Sequence, residues 1–373
     1  MTTPSTTLSP SAAAAAAASA PSRAVTKAPH VVIAGGGTGG HVNPALAIAD
    51  AFVKAHPDGQ VLFIGTAKGL EARLVPARGY RIEMVEGSRL VGAGLVGKLR
   101  GLLALFQGVR QARRLLRREA AHLVIGVGGY ASGAALLAAK TMGVRTAVHE
   151  SNAVPGMTNK VLGKLVDRVY LGFSAASPAF PQRKVCVTGN PVRGEITAVE
   201  RAAVPADASL RKVLVVGGSQ GALFLNQHVP ALLGDLAQTA AAAGVVLQVR
   251  HHVGKLDAAP VAAAYAAAGI DADVVTYIDD MAAALAWADF GVTRAGSGTV
   301  SELAAAGLAA LLVPFPYAAG DHQAANAAAF CASGGGFWSR QADWNREKLA
   351  QQIAAVLTDN TALKLASNGA RQV

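Results

Sequence analysis

The chain has 373 residues, with 34 Lys or Arg against 23 Asp or Glu, a formal net charge of +11. Apolar residues at 52% exclude a chain disordered throughout, and only two cysteines, Cys186 and Cys331, exclude a disulfide scaffold. No C-x-x-C or H-E-x-x-H spacing and no run of about 18 large apolar residues occurs, so neither a metal site nor a membrane-spanning helix is expected.

The length suits about two domains, and the sparse cysteines fit a reducing compartment. The basic excess calls for an anionic partner: nucleic acid, a membrane face or a phosphorylated substrate. Residues 1–28 are rich in Ser, Thr, Pro and Ala, with an unbroken run from Ala12 to Ala18. They lack the early cation and Leu-rich core of a secretory signal, so a disordered leader outside the fold is predicted.

His30–Ala34 is the first short β-branched run, and Gly35-Gly-Gly-Thr38-Gly39-Gly40-His41 follows it. The glycines formally match a dinucleotide fingerprint. The second predicted strand, Leu62–Gly65, ends without the acidic residue such a site needs, which argues against nicotinamide or flavin. The loop still offers backbone amides and a positive helix end to an anion. His41 at that helix start is biased toward the neutral, proton-accepting form; the bland alternative is a capping histidine. No acidic residue lies between Ser88 and Arg118, where Lys98, Arg100, Arg110, Arg113, Arg114, Arg117 and Arg118 alternate with Leu99, Leu102, Leu103, Phe106 and Val109. That spacing predicts a helix, either core-facing with a solvated basic face or carrying an apolar patch rimmed by cations for an anionic leaflet.

Leu123–Gly126 is a predicted strand ending in Gly126-Val-Gly-Gly129-Tyr130, either a tight turn or a ligand loop. Thr146–His149 precedes the polar quartet His149-Glu150-Ser151-Asn152, where α/β sheets bind ligands. Val185–Thr188 is the last predicted strand before a linker near Asn190-Pro-Val-Arg193. Val213–Val216 then opens a second strand–glycine–helix unit, Gly217-Gly-Ser219-Gln220-Gly221, shaped to cradle a diphosphate with Arg193 as a planar fork. Without G-K-[ST] it is no ATPase loop. The stretch Arg294 to Leu303, including Thr299 and Glu302, is a glycine-opened helix start suited to a nucleotide, with Glu302 accepting from a ribose diol. After the predicted strand Leu311–Pro314, Gln323 and Asn326 share a helix face and are candidates to read sugar hydroxyls. Strands alternating with helices predict an α/β protein of two doubly wound domains facing a cleft.

Gly-Gly-Thr38-Gly-Gly-His41-Val-Asn-Pro44, His149-Glu150-x-Asn152, Asn190-Pro-Val-Arg193, Gly217-Gly-Ser-Gln-Gly-Ala222, Ile278-Asp-Asp-Met281 and Ser301-Glu302-x-Ala-Ala-Ala-Gly307 occur in this order. In this combination the chain resembles the MurG family of bacterial N-acetylglucosaminyltransferases, from about residue 30 to its end. The resemblance implies a GT-B fold of two Rossmann-like domains. Residues 29–190 would take the acceptor and the membrane, and residues 191–373 would bind UDP-N-acetylglucosamine. It implies lipid I as acceptor and lipid II as product in peptidoglycan synthesis. No cofactor is implied, and the site is peripheral, on the cytoplasmic face of the inner membrane.

Carried over residue by residue, Arg193 and Ser219 match diphosphate contacts, Ile278 the uracil reader, Glu302 the ribose ligand and Gln323 a contact to the sugar hydroxyls. Asn152 falls at another donor contact. Thr38, Gly39 and Gly40 match the first-domain loop, and Tyr130 and Asn159 resemble acceptor-side residues. Some members carry a glutamine pair where this chain has His322-Gln323, and the chain is expected to stop, at Val373, short of the helix with which the family usually returns to the first domain. The expected reaction is a single inverting displacement by the muramyl 4-hydroxyl, with His41 as base and Glu150 as the second candidate. The competing expectations are another GT-B enzyme, such as a diacylglycerol glycosyltransferase, and a nucleic-acid-binding module. The second is weakened by three Trp, six Tyr and no RNA-binding motif.

Overall fold

The structure, a computed structural model, describes residues 28–85, 95–201, 205, 209–218 and 221–373, without the side chains of 95–100 and 102. The expected leader, Ser219, Gln220 and the start of the basic stretch at Ser88 lie outside the described residues.

The first half runs β1 (His30–Ala34), α1 (Gly39–Ala55), β2 (Gln60–Gly65), α2 (Glu71–Ala77), β3 (Arg81–Met84), α3 (Leu95–Arg118), β4 (Leu123–Gly126), α4 (Tyr130–Thr141), β5 (Arg145–Glu150), α5 (Met157–Leu165), β6 (Arg168–Leu171) and β7 (Val185–Val187). Then come α6 (Gly194–Thr197), β8 (Leu210–Val216), α7 (Leu223–Ala241), β9 (Val246–His252), α8 (Ala259–Ala267), β10 (Asp271–Val275), α9 (Met281–Trp287), β11 (Phe290–Thr293), α10 (Ser297–Ala306) and β12 (Ala310–Leu312). The chain ends α11 (His322–Ala332), β13 (Gly336–Trp338), α12 (Arg346–Leu357) and α13 (Asn360–Ala370).

Among the described residues, seven parallel strands form one sheet in the order β3-β2-β1-β4-β5-β6-β7, and six form another in the order β10-β9-β8-β11-β12-β13. In each sheet the chain starts centrally and winds both ways, so the order reverses beside β1 and beside β8, the points at which α/β sheets take ligands. β1 is buried throughout because helices cover both its faces. Val32 pairs with Leu62 and Val124, while Val31 and Ile33 pack against Val42 and Leu46 of α1. On the opposite face α3, α4 and α5 supply Leu116, Ala135 and Leu162 to a second core. The later sheet is built the same way: Val213 and Val215 face α7 and α12, and Leu214 and Leu312 face α10 and α11.

Strands β3, β6, β9, β10, β11 and β13 add to the expected set. Each is short, at an edge or broken by polar residues, as in Val246-Leu-Gln-Val-Arg-His-His252, so none reads as a buried run. The carboxyl ends of the two sheets face each other. Gly40 at the start of α1 stands beside Ser297 at the start of α10, and Asn190 in the crossing segment ties the halves together.

Candidate active site between the two sheets

The first wall of the cleft is the Gly35–Gly40 loop. Thr38 is the N-cap of α1 but makes no side-chain cap bond, so its exposed hydroxyl and the first amides of the helix stay turned to the cleft. Gly39 and Gly40 lie in that first turn; a Cβ on Gly40 would come no nearer than 3.8 Å to Thr38 Oγ1 and 4.0 Å to Ser297 Oγ, and one on Gly39 no nearer than 4.0 Å to Asn43 Nδ2. Half-buried His41 donates from Nδ1 to the Gly36 carbonyl at 3.0 Å, with Thr38 Oγ1 at 3.5 Å. A carbonyl only accepts, so Nδ1 carries the hydrogen and Nε2 the lone pair. Nε2 lies against Gly128, which has φ +105 and would bring any Cβ to 2.9 Å from it. His149 is buried beside His41; burial first, and the His41 ring second, push its pKa down to about 4.

Glu150, the second candidate for the base, is held by its own loop. Its Oε1 accepts from Asn152 N at 2.9 Å and Asn152 Nδ2 at 3.2 Å; its Oε2 accepts from Gly156 N at 3.0 Å and Asn159 Nδ2 at 2.9 Å. Four donors fill the buried carboxylate, and none belongs to His41. Glu150 therefore shapes the loop after β5. Asn159, expected on the acceptor side, is 2% exposed and donates its amide to Glu150 and the His149 carbonyl. Tyr130 opens α4 and lines a cavity of about 910 Å³ beside Thr38, with Lys68, Met84 and Gln111.

The opposite wall belongs to the second sheet. Gly218 and Gly221 bend the segment after β8, and Gly221 (φ +76) lies so close to the Val253 carbonyl that a Cβ would overlap it. Arg193 donates from Nη2 to Glu302 Oε1 at 3.2 Å and from Nη1 to Glu195 at 3.4 Å. Burial raises the Glu302 pKa, and Arg193 opposes that shift. The expected diphosphate fork and ribose acceptor are thus already in contact, with the rest of the guanidinium uncommitted. Thr299 sits in the first turn of α10, and Gly298 beside it has open space where a Cβ would be. Gln323 accepts from Phe315 N through Oε1 at 2.9 Å, which turns its Nε2 outward. Ile278 is half-buried ahead of α9.

Asn326 is corrected as a sugar reader. Its side chain has no exposure. Oδ1 accepts from Ala153 N at 2.8 Å, and Nδ2 donates to Asn152 Oδ1 at 3.2 Å and Ala295 O at 3.1 Å. Asn326 and Asn152, the latter an expected donor contact, therefore fasten one domain to the other. Asn190 adds to this clamp, donating to Ser151 O at 3.0 Å and Ser301 Oγ at 2.9 Å. Sequence reasoning missed three residues here: Asn190 as a clamp, His149 as a buried neutral ring, and Glu71 behind the first glycine loop. Glu71 had one signal, a lone acid in the first turn of a helix next to a glycine-rich strand end.

Residues 31–171 match the glycosyltransferase family 28 N-terminal domain and residues 212–372 the family 28 C-terminal domain. A Geobacter sp. (strain M21) protein is 41% identical over 91% of this chain and 91% of its own. One from Magnetococcus marinus is 42% identical over 91% and 92%. Both are UDP-N-acetylglucosamine--N-acetylmuramyl-(pentapeptide) pyrophosphoryl-undecaprenol N-acetylglucosamine transferases. The crystal structure of Acinetobacter baumannii MurG superposes with a TM-score of 0.76 at 33% identity, covering 92% of this chain and 95% of that one. The calicheamicin glycosyltransferase CalG4 shares the fold at a TM-score of 0.60 and 16% identity, covering 92% and 94%.

Proposed function

Because the chain belongs to glycosyltransferase family 28, we infer that it moves N-acetylglucosamine from UDP-N-acetylglucosamine to the muramyl sugar of lipid I, the pentapeptide-bearing pyrophosphoryl-undecaprenol acceptor, and so makes lipid II for peptidoglycan. The carrying observation is that the amide-rich starts of α1 and α10 meet across one cleft, each presenting about half a positive charge.

The donor lies on the second domain in this reading. Glu302 accepts from the ribose hydroxyls, the backbone at Ile278 reads uracil, and Nε2 of Gln323 reads a sugar hydroxyl. The diphosphate rests on the first turn of α10 with Thr299 and on the free part of the Arg193 fork, with Ser219 and Gln220 as further contacts. The acceptor enters beside Thr38 and Tyr130. Its 4-hydroxyl attacks the anomeric carbon in line, the bond to the diphosphate oxygen breaks, and the electron pair leaves with UDP. Nε2 of His41 takes the hydroxyl proton and later returns it to solvent. General-base help of this kind contributes about 10²- to 10⁴-fold. The fixed dipoles and Arg193 meet the charge that grows on UDP.

Among the described residues no helix is long and apolar enough to cross a membrane. A surface patch supports peripheral contact at an anionic cytoplasmic leaflet. Leu103 and Phe106 of α3 are 57% and 59% exposed, and Met157, Val161 and Leu165 form an exposed i, i+4, i+8 stripe on α5. Both helices lie on one face of the first sheet, with cations at Arg110, Arg114, Lys160 and Lys164. Ala112 and Leu116 of the same helix fill the core, as the core-facing alternative expected.

Calorimetric titration with UDP-N-acetylglucosamine, UDP-N-acetylgalactosamine and UDP-glucose, followed by transfer to a lipid I analogue, tests the reading. UDP-N-acetylglucosamine should bind tightest and be the efficient donor. Equal use of UDP-glucose would favour another lipid glycosyltransferase.

A further inference from the structure

Behind the Gly35–Gly40 loop lies an acid that no step above uses. Glu71, the first residue of α2, is 2% exposed. Its Oε2 accepts from Gly37 N at 2.7 Å; its Oε1 accepts from Thr66 N and Thr66 Oγ1, both at 3.0 Å. Three converging donors are the surroundings of a carboxylate, which only accepts. Gly36, Gly65 and Gly69 wrap the side chain so closely that a Cβ on any of them would overlap it. The glycines of this loop therefore also make room for an acid, in addition to opening a path to an anion.

One peptide group joins that acid to the base. The Gly36–Gly37 unit donates its N–H to Glu71 and accepts at its carbonyl from His41 Nδ1 at 3.0 Å. A carboxylate at the N–H end draws the peptide dipole into line and makes the carbonyl a stronger acceptor. The carbonyl in turn holds hydrogen on Nδ1 and leaves the lone pair on Nε2. When Nε2 takes the acceptor's proton, the new positive charge is met by the carbonyl and, one peptide further, by the negative charge of Glu71.

We propose that Glu71 is a positioning residue of the transfer reaction, acting on His41 through the Gly36–Gly37 peptide to fix its tautomer and steady its protonated form. This rests on the reading of His41 as the base. The arrangement does the work of a carboxylate–histidine pair with a peptide group inserted between the partners. It also gives the carboxylate a task separate from packing: it occupies the Gly37 amide.

The test combines histidine-selective ¹⁵N NMR of the substrate-free protein with a mutant cycle. In the unaltered protein His41 should be protonated at Nδ1; a ring protonated at Nε2 would overturn the proposal, whether or not any variant folds. In Glu71→Gln, which keeps the shape and removes the charge, the His41 signals should move toward a mixture of tautomers. Its kcat should fall about tenfold or more while both KM values stay within about threefold. In a His41→Ala background the same Glu71→Gln change should cost less than about twofold in residual kcat. An equal loss in both backgrounds, or a lower kcat with an unmoved tautomer, would make Glu71 a packing residue and end the proposal. Full turnover in His41→Ala alone would instead overturn the reading of His41 as base, and the tautomer measurement would still decide the Glu71 link.

Discussion

Gly128 shows how a single missing Cβ makes room for a neighbouring ring. Its φ of +105 is poorly suited to other residues, and its bare Cα faces Nε2 of His41. Gly128→Ala should lower kcat by about tenfold or more, because displacing a reacting group by a fraction of an ångström is enough to lose alignment. Circular dichroism should show the protein folded, and normal turnover would show that Nε2 does not work from this position. The residue scale is also where the sequence was least legible. Thr38, His41 and Glu302 stand in the cleft because glycine-opened helix starts put them there, and that pattern can be read directly. Asn326 and Asn159 have the same residue type and a helical setting like that of a ligand contact. What separates them from Gln323 is burial, and burial depends on the other domain or on Glu150, neither of which sequence spacing reveals. Glu71 escaped for a related reason: its role depends on three glycines closing around it.

At the scale of elements, the strands that read clearly were those buried on both faces, such as β1 and β8. Those that did not were four residues or fewer, as β6, β11 and β13, or broken by polar residues, as β9 and β10. Two of the buried strand histidines are His149 on β5 and His251 on β9, the latter bonding Tyr265 OH at 2.9 Å and Asn226 Oδ1 at 3.1 Å. Burial lowers both pKa values from 6.5 to about 4. Between those values the unfolded chain binds more protons, so stability is full above about pH 6.5 and falls as pH drops toward 4, by on the order of 2 kcal/mol per histidine at pH 5. Urea unfolding at pH 7.5 and pH 5 should show the loss; equal midpoints would place these rings in water. The α3–α5 face makes a separate prediction. Flotation with vesicles containing anionic lipid should carry the protein upward, and Phe106→Ser combined with Met157→Ser should weaken it. High salt should weaken it further, since each nearby cation contributes about 1 kcal/mol. Binding indifferent to both changes would discard this surface.

At the scale of the molecule, two doubly wound halves become one site because the segments between them are fastened. The two-domain plan was legible from the paired strand–glycine–helix openings. The fastening was not, since Asn190, Asn152 and Asn326 are far apart in sequence. Asn326→Ala would leave the Ala153 N–H and Ala295 carbonyl without that partner, at a cost of about 1–3 kcal/mol. It should lower the melting temperature, whereas Gln323→Ala should leave it unchanged and relax discrimination between UDP-N-acetylglucosamine and UDP-N-acetylgalactosamine. A stable Asn326→Ala protein would mean that the halves are held elsewhere.

The division of labour across the cleft is tested most directly by comparing donor affinity and single-turnover transfer to a lipid I analogue in wild type and His41→Ala. UDP-N-acetylglucosamine affinity should change by less than about threefold while transfer slows by about 100-fold or more. Transfer at the wild-type rate, or a parallel collapse of donor binding, would contradict the assignment of grip to one domain and proton removal to the other.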